Sequence, residues 1–290
     1  MPSCLDSARE SIDSISDAIR QACILEATAP KAGNVYPGQS FDSLEFNHFV
    51  TAADILAKAM SNKALPVARR ALVACEETYC ATGTNVNLGI VLLITPLVAA
   101  AELSPIKSQS QWPKMVQKWF SEITAADSVA LFQCIRVMTP GGMGQVDEMD
   151  VQDTTNELND IVAAMKLASE RDRVAAQYAD NFKDLIDHVV PVVDECLRYS
   201  DDALSGIADA HLRLLATSPD TLIARKCGAL VAADVQHRAG QVDLDDDESR
   251  QQFDLFLRSD GNRLNPGTTA DLIAAALFVL LSTSNNRIFQ

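Results

Sequence analysis

Basic residues are scarce in this chain. Across 290 residues, 24 Lys and Arg face 39 Asp and Glu, for a formal net charge of −15 and a pI near 4.6. A protein that coats nucleic acid needs a basic face, so that class is excluded. A local basic pocket for a phosphorylated small molecule is still compatible. Cysteine pairs of the zinc-knuckle or redox type are missing: the seven Cys stand at 4, 23, 75, 80, 134, 196 and 227, and no two have the two-residue spacing. An odd count scattered among apolar neighbours reads as buried free thiols in a reducing cytosol. Only four His occur. His48, His188 and His237 have no Ser, Cys or ligand arrangement around them, and His211 shares an apolar face with Leu204, Ile207 and Leu215, as a core histidine does. Neither a Walker A loop nor GxGxxG is present. No alternating apolar run lies between hairpin signals, which predicts few or no strands. The start, "MPSCLDSARESIDS", lacks the apolar core of a signal peptide. Residues 81–101 carry no charge, but Gly83, Asn85, Asn87 and Pro96 interrupt them and the apolar part begins only at Leu88. A span needs roughly 20 mostly apolar residues, so a buried core helix is expected instead.

What the chain does have is helical periodicity almost throughout. Apolar residues make up 48% of it, enough for a large core. Residues 6–27 set Ala8, Ile12, Ile15, Ile19, Ala22 and Cys23 on one stripe, and residues 47–60 repeat the pattern. A third helix starts at Pro66. Thr124 with Asp127 forms a capping-box signature. The segments 153–169, 173–199, 203–217, 220–239 and 248–258 also read as helices, with Pro191 expected to kink or divide the second. No linker or repeat divides the chain, and the acidic "DLDDDES" (243–249) reads as a solvated loop. The expectation is one all-α domain over residues 1–290, a bundle of about ten helices around central apolar ones.

Several polar loops interrupt this pattern. In "EATAPKAGN" (26–34), Glu26 continues the apolar stripe of the first helix and must point inward. A buried carboxylate needs a partner, so Glu26 is either paired with Lys31 or a neighbouring helix end, or it is a site carboxylate at the floor of a cleft. "TGTNVNLG" (82–89) and "NPGTT" (265–269) each precede a helix without a polar face. The tip of such a helix offers backbone N–H groups and a partial positive charge, a plausible phosphate cradle in which Gly267 allows close approach and Thr268 and Thr269 add hydroxyls. The alternative is ordinary capping, by Asn265 with Pro266 or by Thr268 with Asp271. In "TPGGMGQVDEMDVQDTTNE" (139–157), Asp147, Glu148, Asp153 and Glu157 could supply Mg²⁺ ligands or simply decorate a first helical turn. Arg225 and Lys226 sit beside an apolar face and are candidates for meeting phosphate, or a plain surface pair.

Four of these segments together carry a resemblance. "APKAGNV" (29–35), "TGTNVNLG" (82–89), "PDTLIARKCG" (219–228) and "LNPGTTADLIAAALF" (264–278) occur in the order found in triphosphoribosyl-dephospho-CoA synthases, and the likeness covers roughly residues 20–280. The resemblance implies an all-helical, nucleotide-binding transferase. Such an enzyme uses ATP as triphosphoribosyl donor, releases adenine, and needs Mg²⁺. It further implies that Glu26 first, and Asp271 second, stabilise an oxocarbenium-like C1′ or take the attacking hydroxyl's proton. Lys31, Arg225, Lys226 and the Asn265–Gly267–Thr268–Thr269 loop would hold the triphosphate. Asn34, Asn85 and Asn87 would orient ribose or base, and the acid groups at 147, 148, 153 and 157 would supply Mg²⁺ ligands. The chain departs from the family where it reads "FDSLEFNHF" (41–49) instead of a His-x-Asp-Met segment, and "NVNLG" (85–89) instead of Asn-Thr-His-Lys-Gly. With "TPGGMGQVDEMDV" it looks like a divergent branch linked to methanopterin-type one-carbon metabolism. The expected acceptor is therefore dephospho-CoA or a related CoA-like or pterin-like precursor. A kinase of a one-carbon cofactor precursor and a non-catalytic helical scaffold are the other readings. No nucleic-acid or membrane partner is expected, and a cytoplasmic location is.

Overall fold

A computed structural model describes residues 5–139 and 160–283. Among them are fifteen α-helices and no strand; the only β-like pairings are two isolated bridges, Tyr36–Gln39 and Phe41–Leu44, in one loop. The all-α expectation holds. The two segments without a polar face are central, α5 (Leu88–Leu103) and α15 (Gly267–Ser282), and they pack against each other. Every residue from Leu272 to Ser282 is buried. Around this pair stand α2 (Ile15–Thr28), α4 (Val67–Thr82), α7 (Ala125–Met138), α9 (Arg173–Asp180), α10 (Val190–Tyr199) and α11 (Ala203–Thr217), with α3 (Phe46–Ser61) outside α2 and α4. No helix is long and apolar enough to cross a membrane among the described residues.

A second, smaller apolar cluster lies beyond the first. Leu212 and Leu215 of α11 join Ile223 of α12 (Thr221–Cys227), Val235 of α13 (Ala229–Ala239), and Phe253 and Leu257 of α14 (Asp247–Arg258). The opposite side of α11, with Ile207, Ala210 and Leu214, belongs to the main core. Thus α11 joins the two, and the α12–α14 layer is held close to the N-terminal tip of α15.

Helices outnumber the expected ten because continuous apolar stripes hide breaks. The stripe over 6–27 is interrupted between α1 (Asp6–Glu10) and α2, where Ser14 caps α2 by accepting from the Asp17 N–H at 3.1 Å. Segment 173–199 divides at Asn181 and Phe182, both at positive φ, rather than at Pro191. Pro191 lies in the first turn of α10, where no N–H is required, behind a wide π turn at Leu185–Val189. Segment 220–239 breaks at Gly228, whose φ of +94° ends α12. Helix α6 (Trp112–Glu122) was not anticipated, and α8 (Ile161–Ala168) begins with Asp160 as its cap. The Thr124–Asp127 capping box is present.

Candidate functional site

The tips of α5 and α15, the C-terminal end of α2, the first turn of α9 and one side of α12 converge on one cavity of about 790 Å³. Three of the segments singled out from sequence, 26–34, 82–89 and 264–271, meet there. Glu26, Asn34, Asn85, Arg225, Lys226, Asn265, Gly267, Thr268 and Asp271 all line it; Lys31, Asn87 and Thr269 do not. Asp147, Glu148, Asp153 and Glu157 lie outside the described residues.

Glu26 is paired as expected and also faces the cavity. It is 4% exposed, lines the cavity, and pairs with the Lys31 ammonium at 2.9 Å. Lys31 is completely buried and also donates to the Glu26 and Ala29 carbonyls. It is therefore the counter-charge that lets a carboxylate exist on the cavity floor, not a hand on the ligand. The loop carrying it is fixed from α14: the Gly33 N–H donates to Asp254 at 2.7 Å, and Arg258 donates to the Asn34 carbonyl at 2.5 Å. Gly33 has φ +72°, and a Cβ there would lie 2.8 Å from Leu257, so the turn requires glycine.

Helix α5 starts at Leu88, whose N–H is accepted by Asn85 at 3.2 Å. Two residues further into the tip, the Ile90 N–H donates to the Asp271 carboxylate. Asp271 sits so close to Gly89 that a Cβ at that position would be 2.0 Å from Oδ2. Thus α5 approaches α15 through a missing side chain, and the positive tip of α5 is capped by a carboxylate of α15. Asp271 is not paired with Thr268 in a capping box; Thr268 instead accepts from the Thr221 hydroxyl at 3.1 Å. Burial, then the charges of Glu26 and Asp220, push the Asp271 carboxyl well above the usual carboxylate range. Arg225 and the Ile90 amide pull it back in part.

Asp220 has a similar function one layer away. Its Oδ1 caps α12 through Leu222 and Ile223, and its Oδ2 accepts from the Thr269 N–H and hydroxyl, both at 2.8 Å. Two of the amides expected to cradle phosphate are therefore occupied by protein carboxylates, at Ile90 and at Thr269. Gly267 also has a packing reason, since a Cβ would meet Leu222 at 2.7 Å. The side-chain cations at the cavity wall are Arg171, Arg225 and Lys226. Arg225 is paired with Asp172, and its Nε has no partner among the described residues. Lys226 donates to the Asn262 carbonyl at 3.1 Å. Burial lowers the pKa of both.

Sequence reasoning missed Asp172, Arg171, Gly89 and the clamp made by Asp220. Asp220 was visible only as a helix start, and nothing local shows that its second oxygen reaches a helix 49 residues away. His211 is a core residue as expected, wholly buried, but its Nε2 lies 3.1 Å from the Asn34 amide nitrogen. Burial, helped by the charge of Lys31, drops its pKa to about 3.

No group of three or more His, Cys, Asp or Glu arranged to hold a metal occurs among the described residues. Of the carboxyls that line the cavity, Glu26 is paired with Lys31 and Asp172 with Arg225, while Asp271 takes the Ile90 amide and has no cation paired to it. That donor set fits a cation held mainly by ligand phosphates, not a protein cage.

The fold resembles the crystal structure titled "putative triphosphoribosyl-dephospho-coA synthase from Archaeoglobus fulgidus", with a TM-score of 0.63 and 21% identity over 80% of this chain and 97% of that one. No curated protein sequence matches. The profile of the CitG family, ATP:dephospho-CoA triphosphoribosyl transferase, matches residues 12–288. The chain therefore belongs to the ATP:dephospho-CoA triphosphoribosyl transferase family.

Proposed function

We propose that the cavity holds ATP with its triphosphate toward Arg171, Arg225 and Lys226 and its C1′ over the Glu26–Asp271 floor. The observation that carries this is the presence, in one cavity, of the buried Glu26 and the half-buried Asp271 with three cations at the wall. An acceptor hydroxyl forms a bond to C1′ as the C1′–N9 bond breaks. Adenine leaves with a proton, and the acceptor's proton passes to a carboxylate. Glu26, held by Lys31, faces the positive charge that develops at C1′. Asp271, whose raised pKa keeps it protonated further toward neutrality, supplies the proton that the departing purine needs. The product is the acceptor carrying a triphosphoribosyl group.

Mg²⁺ fits as the phosphate-bound cation, because Arg225 is already shared with Asp172 and the remaining positive charge at the wall is small beside a triphosphate. The carboxylates at 147, 148, 153 and 157 are its proposed protein ligands. Dephospho-CoA is the acceptor proposed first. A pterin-like precursor is second, because "NVNLG" departs from the family pattern at the cavity wall.

Incubation with ATP, Mg²⁺ and dephospho-CoA, followed by chromatography, should show adenine and a triphosphoribosylated acceptor in equal amounts. Formation of ADP in place of adenine would establish phosphoryl transfer instead. Glu26→Gln should lower adenine release by about 10²–10⁴-fold while the protein stays folded.

A further inference from the structure

The cavity wall contains a hydrogen-bond chain whose direction is set by two backbone carbonyls. The Gly33 carbonyl can only accept, and it takes a hydrogen from the Asn265 side-chain amide at 2.8 Å. The second hydrogen of that amide then points to Asn34 Oδ1 at 3.3 Å. This fixes the Asn34 amide group the other way round. One of its hydrogens goes to the Ala32 carbonyl at 3.4 Å, and the other to His211 Nε2 at 3.1 Å. Turning either Asn over would set an oxygen against a backbone oxygen, so no alternative assignment satisfies the chain. In this arrangement His211 Nε2 carries the lone pair and the single proton sits on Nδ1, which has no hydrogen-bond partner among the described residues. The nearby Lys31 and complete burial prevent a second proton from joining.

The consequence concerns what Asn34 and Asn265 can offer a ligand. Both line the cavity, and all four of their amide hydrogens are spent within the wall. Their unspent capacity is carbonyl oxygen alone. Such an edge repels phosphate oxygens and accepts from hydroxyl groups.

We propose that Asn34 and Asn265 form an acceptor-only edge that selects a ribose hydroxyl, and that His211 is the positioning residue that holds this edge in its orientation. This rests on the ribosyl-transfer reading above and reassigns Asn265 from triphosphate binding to sugar recognition. The hydroxyl belongs either to the ribose of the ATP donor or to that of the nucleotide acceptor, since the chemistry is shared.

Calorimetric binding to the full-length protein tests the edge without needing turnover. ATP is compared with 2′,3′-dideoxy-ATP, and dephospho-CoA with its 2′-deoxy form. In the wild type the hydroxylated member of at least one pair should bind about 10-fold or more tightly, because the analogue leaves a buried acceptor unpaired. Which pair shows the preference identifies the ribose. His211→Leu should collapse that preference toward unity, and His211→Gln, whose side-chain oxygen can still accept from Asn34, should restore it. Should His211→Leu fail to fold, Asn265→Leu provides the same comparison from the other end of the chain. Equal binding within both pairs, or a preference that His211→Leu and Asn265→Leu leave intact, overturns the inference and leaves the proposed function standing. Absence of any binding by ATP and dephospho-CoA overturns both.

Discussion

The hydroxyl of Tyr178 donates to the carbonyl of Leu92 at 2.7 Å, and Leu92 is the residue whose helical bond Pro96 cannot make. Pro96 stands inside α5 with no N–H to give to the carbonyl four residues back. That carbonyl is in the dry core, where an unpaired oxygen is costly. Tyr178, fully buried on α9 and stacked on Phe120 at 5.1 Å between ring centres, supplies the missing hydrogen. The break in α5 is thereby absorbed by a neighbouring helix that also bears on the cavity.

Tyr178→Phe should therefore cost about 1–3 kcal/mol, more than deletion of an ordinary exposed hydroxyl. Pro96→Ala restores an N–H at position 96, so the double variant should lose less than the sum of the two single ones. Denaturant unfolding of all four proteins measures that coupling. Strict additivity would show that Tyr178 does not stand in for the missing bond.

Lys31 and Glu26 form a second pair of this kind, with higher stakes. Lys31→Met strands a carboxylate that is 4% exposed, and breaking a buried pair costs about 3–5 kcal/mol. Adding Glu26→Gln to Lys31→Met should recover much of that loss in thermal melting. It should not recover adenine release. Recovery of activity in the double variant would remove Glu26 from the chemistry.

The raised pKa of Asp271 has a definite sign for stability. An acid whose folded pKa lies above its unfolded value holds its proton more tightly when folded. Relative to Asp271→Asn, the wild type should lose stability as pH rises from about 3.8 through the raised folded value, and should show no such difference below it. Melting curves of the two proteins across the acid-to-neutral range test this. A gap that stays constant with pH would mean that Asp271 is no harder to ionise in the fold than outside it.

Gly89→Ala would put a methyl group 2.0 Å from the Asp271 carboxylate, so one of them must move. Overpacking of this sort costs about 1–3 kcal/mol. Displacing the Asp271 carboxyl from the cavity floor should also lower adenine release by at least about tenfold, through kcat more than through KM for ATP. A variant with unchanged kcat would show that the position of Asp271 is not critical.

Much of this was legible in the residues themselves. Ten-residue apolar runs without a polar face can be stable in water only at the centre of a bundle, so α5 and α15 were recognisable as its core. Glu26 on an apolar stripe had to be inward and had to be paired. The polar loops at 26–34, 82–89 and 264–271 were identifiable because each interrupts strong periodicity. Periodicity is blind to short breaks, however. A stripe carries on across Gly228 or Asn181 as though the helix did, so helix number was underestimated.

What tertiary structure alone decided was the partner of each polar group. Local spacing can put a hydroxyl or an amide at a helix tip, but several groups compete for it, and the winner depends on which helix arrives opposite. Asp220 takes the Thr269 amide and Asp271 takes that of Ile90, so neither amide is free for a ligand, and the cations at the cavity wall are Arg171, Arg225 and Lys226. His211 read correctly as a core histidine, yet its orientation of Asn34 comes from a residue 177 positions away in the chain. Burial is written into composition and period because it sums over many residues; hydrogen-bond direction is settled by a few long-range contacts, and only the folded chain contains them.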